Sequence, residues 1–348
     1  MLALTVQPGV AGSAALEEID EPFPQQGDVL VEALAVGVCG TDVEIVEGKY
    51  GWAPKNESRL VLGHESLGRV IEAPAASGFV AGDLVVGIVR RPDPVPCPNC
   101  EIGEWDMCRN GQYTERGIKE LHGFCSQRFR IEADYAVKVD PALGNLGVLL
   151  EPASVLAKAW EHIEHIGARA RFQPERVLVT GAGPIGLLAA LMARQRGLEV
   201  DVLDRVTTGP KPKLVRDLGA QYHTTSVSEI ASHPNIALEC TGVPQLVFDV
   251  MNDTTPGGVV CLAGVSSGNR KIEVDFGSFS TSMVLENDVV FGSVNANRRH
   301  YEKAALSLAQ ADPAWLSRLI TRRVPLAQWQ SALHRQGDDV KVIIDFTR

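Results

Sequence analysis

Residues 177–197 read VLVTGAGPIGLLAALMARQRG: a β-branched apolar run, then glycines at 181, 183 and 186, then an unbroken apolar helix-former stretch. A strand that runs through G-x-G-x-x-G into a helix is the dinucleotide-binding turn. Its glycines permit a tight reversal and close backbone approach, and the helix N-terminus then faces a pyrophosphate. Gly181, Gly183, Pro184, Ile185 and Gly186 are therefore the candidate cofactor turn. The glycine pattern alone is weak. It is strengthened by a second strand ending at Asp204, 23 residues after Gly181, where a carboxylate can accept ribose hydroxyls. Arg205 follows directly, and Lys211 and Lys213 lie close behind. Asp204 repels a 2′-phosphate and Arg205 attracts one, so the pattern leans to NAD and leaves NADP open.

Outward from this turn, the sequence alternates strand and helix. Segments 176–180, 198–204, 221–225, 235–242, 257–265 and 288–295 read as six strands, with helical runs at 184–196, 211–218 and 244–251. That rhythm predicts a doubly wound parallel sheet. Before it, Met1 to about Asp140 carries short alternating strands broken by Gly and Pro, the pattern of a β-rich barrel-like domain. The change comes at EPASVLAKAWEHIEHI (151–166), with apolar residues at helical spacing. After Asn295 a helix, RRHYEKAALSLAQ, and a last strand, VKVIIDF, complete the chain. RVTTGPKP (205–212) is its most linker-like stretch.

Composition bounds the function. The 348 residues exceed what one core usually supports, so two domains are expected. A net charge of −10 argues against binding a phosphate backbone and against reading the cysteines as a nucleic-acid zinc finger. No apolar run is long enough to span a bilayer. MLALTVQPG lacks the basic flank and long apolar core of a secretory signal. Seven cysteines, an odd number, suit metal ligands and single buried thiols better than a disulfide framework. A cytoplasmic enzyme is the expectation.

Three further stretches carry chemistry. GVCGTD (37–42), LGHES (62–66) and LLEPAS (149–154) offer Cys39, His64, Glu65 and Glu151: thiolate, imidazole and carboxylate, all ligands that zinc accepts. Taken singly, each has an ordinary structural use as a small buried hydrophobe, a core histidine or a carboxylate at a helix start. Together, beside a nucleotide turn, they form a candidate catalytic metal set. CPNCEIGEWDMC (97–108) adds three cysteines in twelve residues, one short of a closed four-ligand site.

In this order, GVCGTD, GHE, the cysteine stretch, EPAS and GAGPIG resemble the zinc-dependent medium-chain dehydrogenase/reductase family over essentially the whole chain. CGTDVEIVEG, NGQYTERGIKELHGF and GSVNANRRHYEKA resemble its glucose dehydrogenase branch. The resemblance implies a GroES-like catalytic domain (1–155 and 296–348), a Rossmann domain (156–295), and zinc in the cleft between them. Residue by residue, it places Cys39, His64, Glu65 and Glu151 around a catalytic zinc, with one glutamate exchanging with water. Thr41 becomes the proton acceptor or relay at the substrate hydroxyl, and Glu44 stands where many alcohol dehydrogenases have a histidine. Cys97, Cys100 and Cys108 fill three places of a four-cysteine structural zinc lobe. The remaining place falls on Pro94, which cannot ligate, and Asp93 is the candidate substitute; a metal-free lobe with three reduced thiols is the alternative.

The branch likeness also assigns Glu115, His122 and Asn295 to sugar hydroxyls, with Glu151 beside the substrate and Asn295 at the cofactor as well. The expected reaction is oxidation of an aldohexose at C1 to the lactone with NAD or NADP. In it, zinc acts as Lewis acid on the anomeric hydroxyl, and the chain works as a homodimer or homotetramer. The competing readings are a zinc polyol, alcohol or threonine dehydrogenase, and a cofactor-binding protein without turnover. Intact Cys39, His64 and Thr41 weigh against the last.

Overall fold

Gly37 and its strand explain the first half of the molecule. In the computed structural model, which describes residues 1–230, 233–265 and 271–348, the strand Val29–Val38 is the hub of a seven-stranded sheet. One side of it pairs antiparallel with Glu65–Glu72 and the other with Lys341–Asp345. Leu84–Gly87 and Ala136–Lys138 continue one flank, Ile320–Pro325 ends the other, and Arg128–Ile131 pairs with the hub's first half. The register sets Gly37 opposite Glu65 and Val38 opposite Val342. Cys39 therefore leaves the hub strand beside Glu65 and Lys341, residues that the sequence holds far apart. Glycine at 37 leaves room for the Glu65 carboxylate, which a Cβ there would meet at 2.0 Å and displace.

Smaller sheets flank this one: Ala15–Glu18, Leu2–Val6 and Leu60–Val61 form one, and Arg90–Arg91, Thr114–Arg116 and Glu120–Leu121 another. The core beneath is made by Leu4, Val31, Ile45, Leu62, Ile131 and Ile344, with Phe124 and Phe129 edge to face at 4.8 Å. Fully burying an aliphatic or aromatic side chain of this size contributes ~1.5–3 kcal/mol each. These elements belong to a compact unit of Met1–Ser154 with Asn295–Arg348.

The second unit, Val155–Val294, contains a six-stranded sheet in which every pairing is parallel. Its strands are Arg176–Thr180, Glu199–Leu203, Gln221–His223, Ile236–Glu239, Val259–Leu262 and Val289–Gly292. Their spatial order is third, second, first, fourth, fifth, sixth. The order reverses beside the first strand, so the turn at Gly181 sits where open α/β sheets bind ligands. Helices Pro184–Gln195, Pro210–Asp217 and Pro244–Met251 each begin with proline, whose fixed φ and missing N–H suit the first helical position. Residues 186–193 are all buried, which makes Pro184–Gln195 an internal helix.

The parallel sheet and the β-rich unit agree with the expected fold class. Several elements differ from expectation. The helix expected at 211–218 begins at Pro210, so the last three residues of the linker-like stretch 205–212 are helical. Helices Phe276–Glu286 and Pro313–Leu319, the strand Ile320–Pro325 and a short helix Trp329–Leu333 were not anticipated. Among the described residues no helix is long and apolar enough to cross a membrane.

Candidate active site and metal centre

Cys39 is the N-cap of the helix Gly40–Val46, and Asp42 at its third position accepts the Cys39 N–H at 2.8 Å. The other Asp42 oxygen lies 3.3 Å from His64 Nδ1. One buried carboxylate thus caps the helix through one oxygen and stands beside the imidazole as a charged neighbour through the other. Cys39 Sγ, a His64 ring nitrogen and a Glu65 carboxylate oxygen all lie within 4.8 Å of one another. Thr41 Oγ1 is 3.8 Å from Cys39 Sγ, and Glu44 lies one helical turn further on. Lys341, fully buried, donates to Glu65 at 2.6 Å and to the Val38 carbonyl at 3.1 Å.

The electrostatics bear the mark of clustered charge. Burial pushes the Glu151 carboxyl up to about 7, with Glu65 and Asp42 adding to the rise against the pull of His64 and Lys341. Burial works to lower the His64 pKa, yet Asp42 and then Cys39 carry it well above the ordinary imidazole value. Protons are retained here because several acidic groups share a dry site. A dication would replace those protons, and thiol, imidazole and carboxylate are donors that zinc accepts, so the residues fit the metal. Glu151 lies in the same field but outside the three-residue cluster.

The three thiols of the cysteine lobe also converge within 4.8 Å. Cys97 begins the helical turn Pro98–Glu101 and lies 3.6 Å from Cys100. The N–H groups of Arg109 and Cys100 lower the Cys97 pKa, whereas burial raises that of Cys100. Asp93 meets the lobe through its N–H, which bonds the Cys100 thiol, while its carboxylate is outside the three-thiol cluster. Its carboxylate accepts the Val95 N–H at 2.8 Å and the Asn110 amide, and Asn110 in turn lies 3.0 Å from the Cys108 sulfur.

Glu115 and Asn295 meet: the Asn295 amide donates to Glu115 Oε1 at 2.7 Å. Arg90 places Nε and Nη2 on the same oxygen at 3.1 and 2.9 Å. Among the described residues no donor bonds Oε2. His122 is not part of this group. Its Nδ1 accepts the Val61 N–H at 3.2 Å and its Nε2 meets Glu57 at 2.9 Å. It lines a separate cavity of about 320 Å³ with Arg116 and Arg130.

In the second unit, Gly181 has a φ of +88°, and a Cβ on Gly186 would lie 1.7 Å from the Gly181 carbonyl oxygen. A Cβ on Gly183 would meet nothing within 4 Å, so its glycine leaves open space at the helix start. That cradle fits a pyrophosphate. Asp204 accepts the Ala182 N–H at 2.7 Å, the Val206 N–H at 2.9 Å and Lys211 Nζ at 2.9 Å, while Arg205 is exposed. Lys211 is thus a partner of Asp204 that the sequence pattern left unassigned.

Residues 144–346 match the family described as glucose dehydrogenase C-terminus, and residues 25–141 the alcohol dehydrogenase GroES-like domain. The chain belongs to the glucose dehydrogenase branch of the zinc-dependent medium-chain dehydrogenase/reductase family. It is 39% identical over 351 residues to glucose 1-dehydrogenase 2 of Vulcanisaeta moutnovskia, covering 99% of each chain. It is 40% identical over 350 residues to glucose 1-dehydrogenase of Thermoproteus tenax, again over 99% of each. The structure of Haloferax mediterranei glucose dehydrogenase in complex with NADP, Zn and gluconolactone matches with a TM-score of 0.92 at 32% identity, covering 100% of both chains.

Proposed function

We propose that this family member oxidises an aldose, glucose or a close epimer, at C1 to the lactone, by hydride transfer to NAD or NADP with zinc. The observation that carries this reading is the convergence of Cys39, His64 and Glu65 in a chain whose relatives are glucose 1-dehydrogenases. Zinc, when bound, supplies a Lewis acid that makes the anomeric hydroxyl easier to deprotonate. Thr41 takes the hydroxyl proton, and Glu44 on the same helix is its onward relay. Asp42 lies 3.3 Å from the imidazole as its charged neighbour, and Lys341 holds Glu65 at the edge of the cluster. Glu115 offers Oε2 to a sugar hydroxyl, its other oxygen being saturated by Arg90 and Asn295. Such a pairing rejects substrates without the hydroxyl, because the carboxylate is then left unpaired.

Residues 1–155 with 296–348 are the proposed catalytic domain, and 156–295 the nucleotide domain. Gly181, Gly183, Pro184, Ile185 and Gly186 would receive the pyrophosphate, and Asp204 the adenosine ribose. Lys211 and Arg205 stand beside Asp204 as cations for a 2′-phosphate, which is why both cofactors are proposed. All seven cysteines are free, in keeping with a reducing cytoplasmic setting. A homodimer or homotetramer is proposed on the apolar sheet edge at Val289–Gly292.

The test is a steady-state panel of aldoses, polyols and primary alcohols with NAD and NADP, with and without chelator. Glucose or an epimer should be oxidised fastest, chelation should abolish turnover, and Cys39→Ala should do the same with the fold intact by circular dichroism. Full activity in protein that elemental analysis finds free of zinc would overturn the mechanism. Equal rates on simple alcohols would overturn the sugar assignment.

A further inference from the structure

Glu115 does not stand on its own strand alone. Arg90 and Glu115 are 5% and 6% exposed, and two of the guanidinium nitrogens converge on Glu115 Oε1. The third, Nη1, donates to the Asp106 carbonyl at 3.0 Å. The guanidinium also lies over the Tyr113 ring, 3.7 Å from its centroid. Asp106 belongs to the loop between Cys97 and Cys108, so Arg90 joins the cysteine lobe to one oxygen of the Glu115 carboxylate.

A second strut reaches the other member of the pair. Asn297 Nδ2 donates to the Gly103 carbonyl at 3.0 Å and to Asp106 Oδ1 at 3.1 Å, and Arg299 pairs with Glu104 at 2.6 Å. Gly103, Glu104 and Asp106 are all lobe residues. Two positions before Asn297, Asn295 holds a φ of +62°, the left-handed region that asparagine enters more readily than other residues with a Cβ. The Ala296 N–H returns to Asn295 Oδ1 at 2.8 Å, which leaves the amide nitrogen to point at Glu115.

We propose that the three-cysteine lobe is a brace for the sugar-binding pair, with Arg90 and Asn297 as its positioning residues. The lobe sets where Glu115 and Asn295 meet a hydroxyl, so loosening it weakens sugar recognition while leaving hydride transfer largely intact. The proposal rests on Glu115 and Asn295 being the sugar-binding pair, as argued above. Lysine cannot replace Arg90 in this role, because a single ammonium does not reproduce the planar fork that reaches Glu115 and Asp106 together.

The test compares wild type, Arg90→Lys, Asn297→Ala, Cys100→Ser and Glu115→Gln as full-length zinc-loaded chains. Glucose and its monodeoxy analogues are the substrates, with NADP affinity by fluorescence titration, zinc by elemental analysis and melting by calorimetry. Arg90→Lys and Asn297→Ala should raise the glucose KM about tenfold with kcat changed less than about threefold. They should also blunt discrimination against the deoxy analogue that Glu115→Gln tolerates best, with NADP affinity changed less than the glucose KM. The Cys100 side chain lies with the other lobe thiols and makes none of the bonds named above, and the same KM rise is expected from Cys100→Ser.

Wild-type KM and discrimination in the Arg90, Asn297 and Cys100 variants, against their loss in Glu115→Gln, would overturn the brace and leave Glu115 in its role. Wild-type discrimination in Glu115→Gln would remove the sugar-binding pair and the brace with it. Lactone formation by the wild type tests the oxidation itself independently of either result.

Discussion

Without zinc, Glu151 and His64 hold protons that the unfolded chain would release, and both shifts have the same sign. Glu151 keeps its proton to about pH 7 in the folded state, and the unfolded carboxyl loses it near ~4.3. His64 titrates well above the imidazole value of roughly 6.5 that the unfolded chain would show. Folding therefore takes up protons, and stability falls as pH rises through this window. Chelated wild type should melt lower at pH 8 than at pH 5, and Glu151→Gln should flatten the slope below pH 7 by about 5 °C in Tm. Added zinc should restore the loss. Calorimetry across pH on matched apo samples decides it, and parallel wild-type and Glu151→Gln curves would remove Glu151 from the metal site. At this scale the sequence disclosed ligand types more readily than their partners. Cys39, His64 and Glu65 were legible as donors in order. Asp42 carried a weaker signal, an acid three residues after a helix cap. Nothing in spacing links Lys341 to Glu65, because only the sheet register joins them. Asp93 and His122 were assigned by the family likeness, and the bonds their side chains make, to the Val95 N–H and Asn110 and to the Val61 N–H and Glu57, are set by loops whose course spacing does not disclose.

Two glycines of one turn separate folding from cofactor binding. Gly186 faces the Gly181 carbonyl so closely that any Cβ forces the helix Pro184–Gln195 off its strand, whereas Gly183 borders open space. Gly186→Ala should lower stability by about 2 kcal/mol or more, the scale of overpacking in a tight core. Gly183→Ala should leave Tm within about 2 °C and weaken NAD(P) binding at least about tenfold, because its methyl group occupies the phosphate's space. Melting curves and fluorescence titrations of both variants check this; equal cofactor affinity in Gly183→Ala would place the pyrophosphate elsewhere. The elements around this turn were legible because apolar strands are bounded by Gly and Pro, and the helices Pro184–Gln195, Pro210–Asp217 and Pro244–Met251 open on proline. The strand Ile320–Pro325 was not, since ITRRVP carries two arginines in its centre and its pairing with Lys341–Asp345 is interrupted by a bulge. The helix Phe276–Glu286 was hidden by serines, a threonine and a glycine among its first residues, which weaken the periodic signal; Asp275 caps it through the Ser278 N–H.

At the scale of the whole molecule, the parallel sheet ends on Val289–Gly292, whose three apolar side chains are only half-buried. An unprotected apolar edge strand is a template for pairing with another chain, and natural proteins blunt it with charge, proline or a cover. This edge carries neither charge nor proline. The helix preceding it adds Phe276, Val284 and Leu285, which are 64%, 73% and 74% exposed. We propose that apolar exposure of this extent in a chain of net charge −10 serves as an association surface. A second copy of the same chain is the economical partner, because a two-fold axis beside an edge strand would pair that strand with its own copy and bury both helices. The wild type should therefore sediment as a dimer or a larger even assembly at micromolar concentration. Val290→Lys combined with Leu285→Glu should shift it to the monomer, since the buried charges lack partners in the paired state. Analytical ultracentrifugation of both proteins is the measurement. A monomeric wild type would remove the edge from consideration. A double variant that stays oligomeric would move the interface to another face of the molecule.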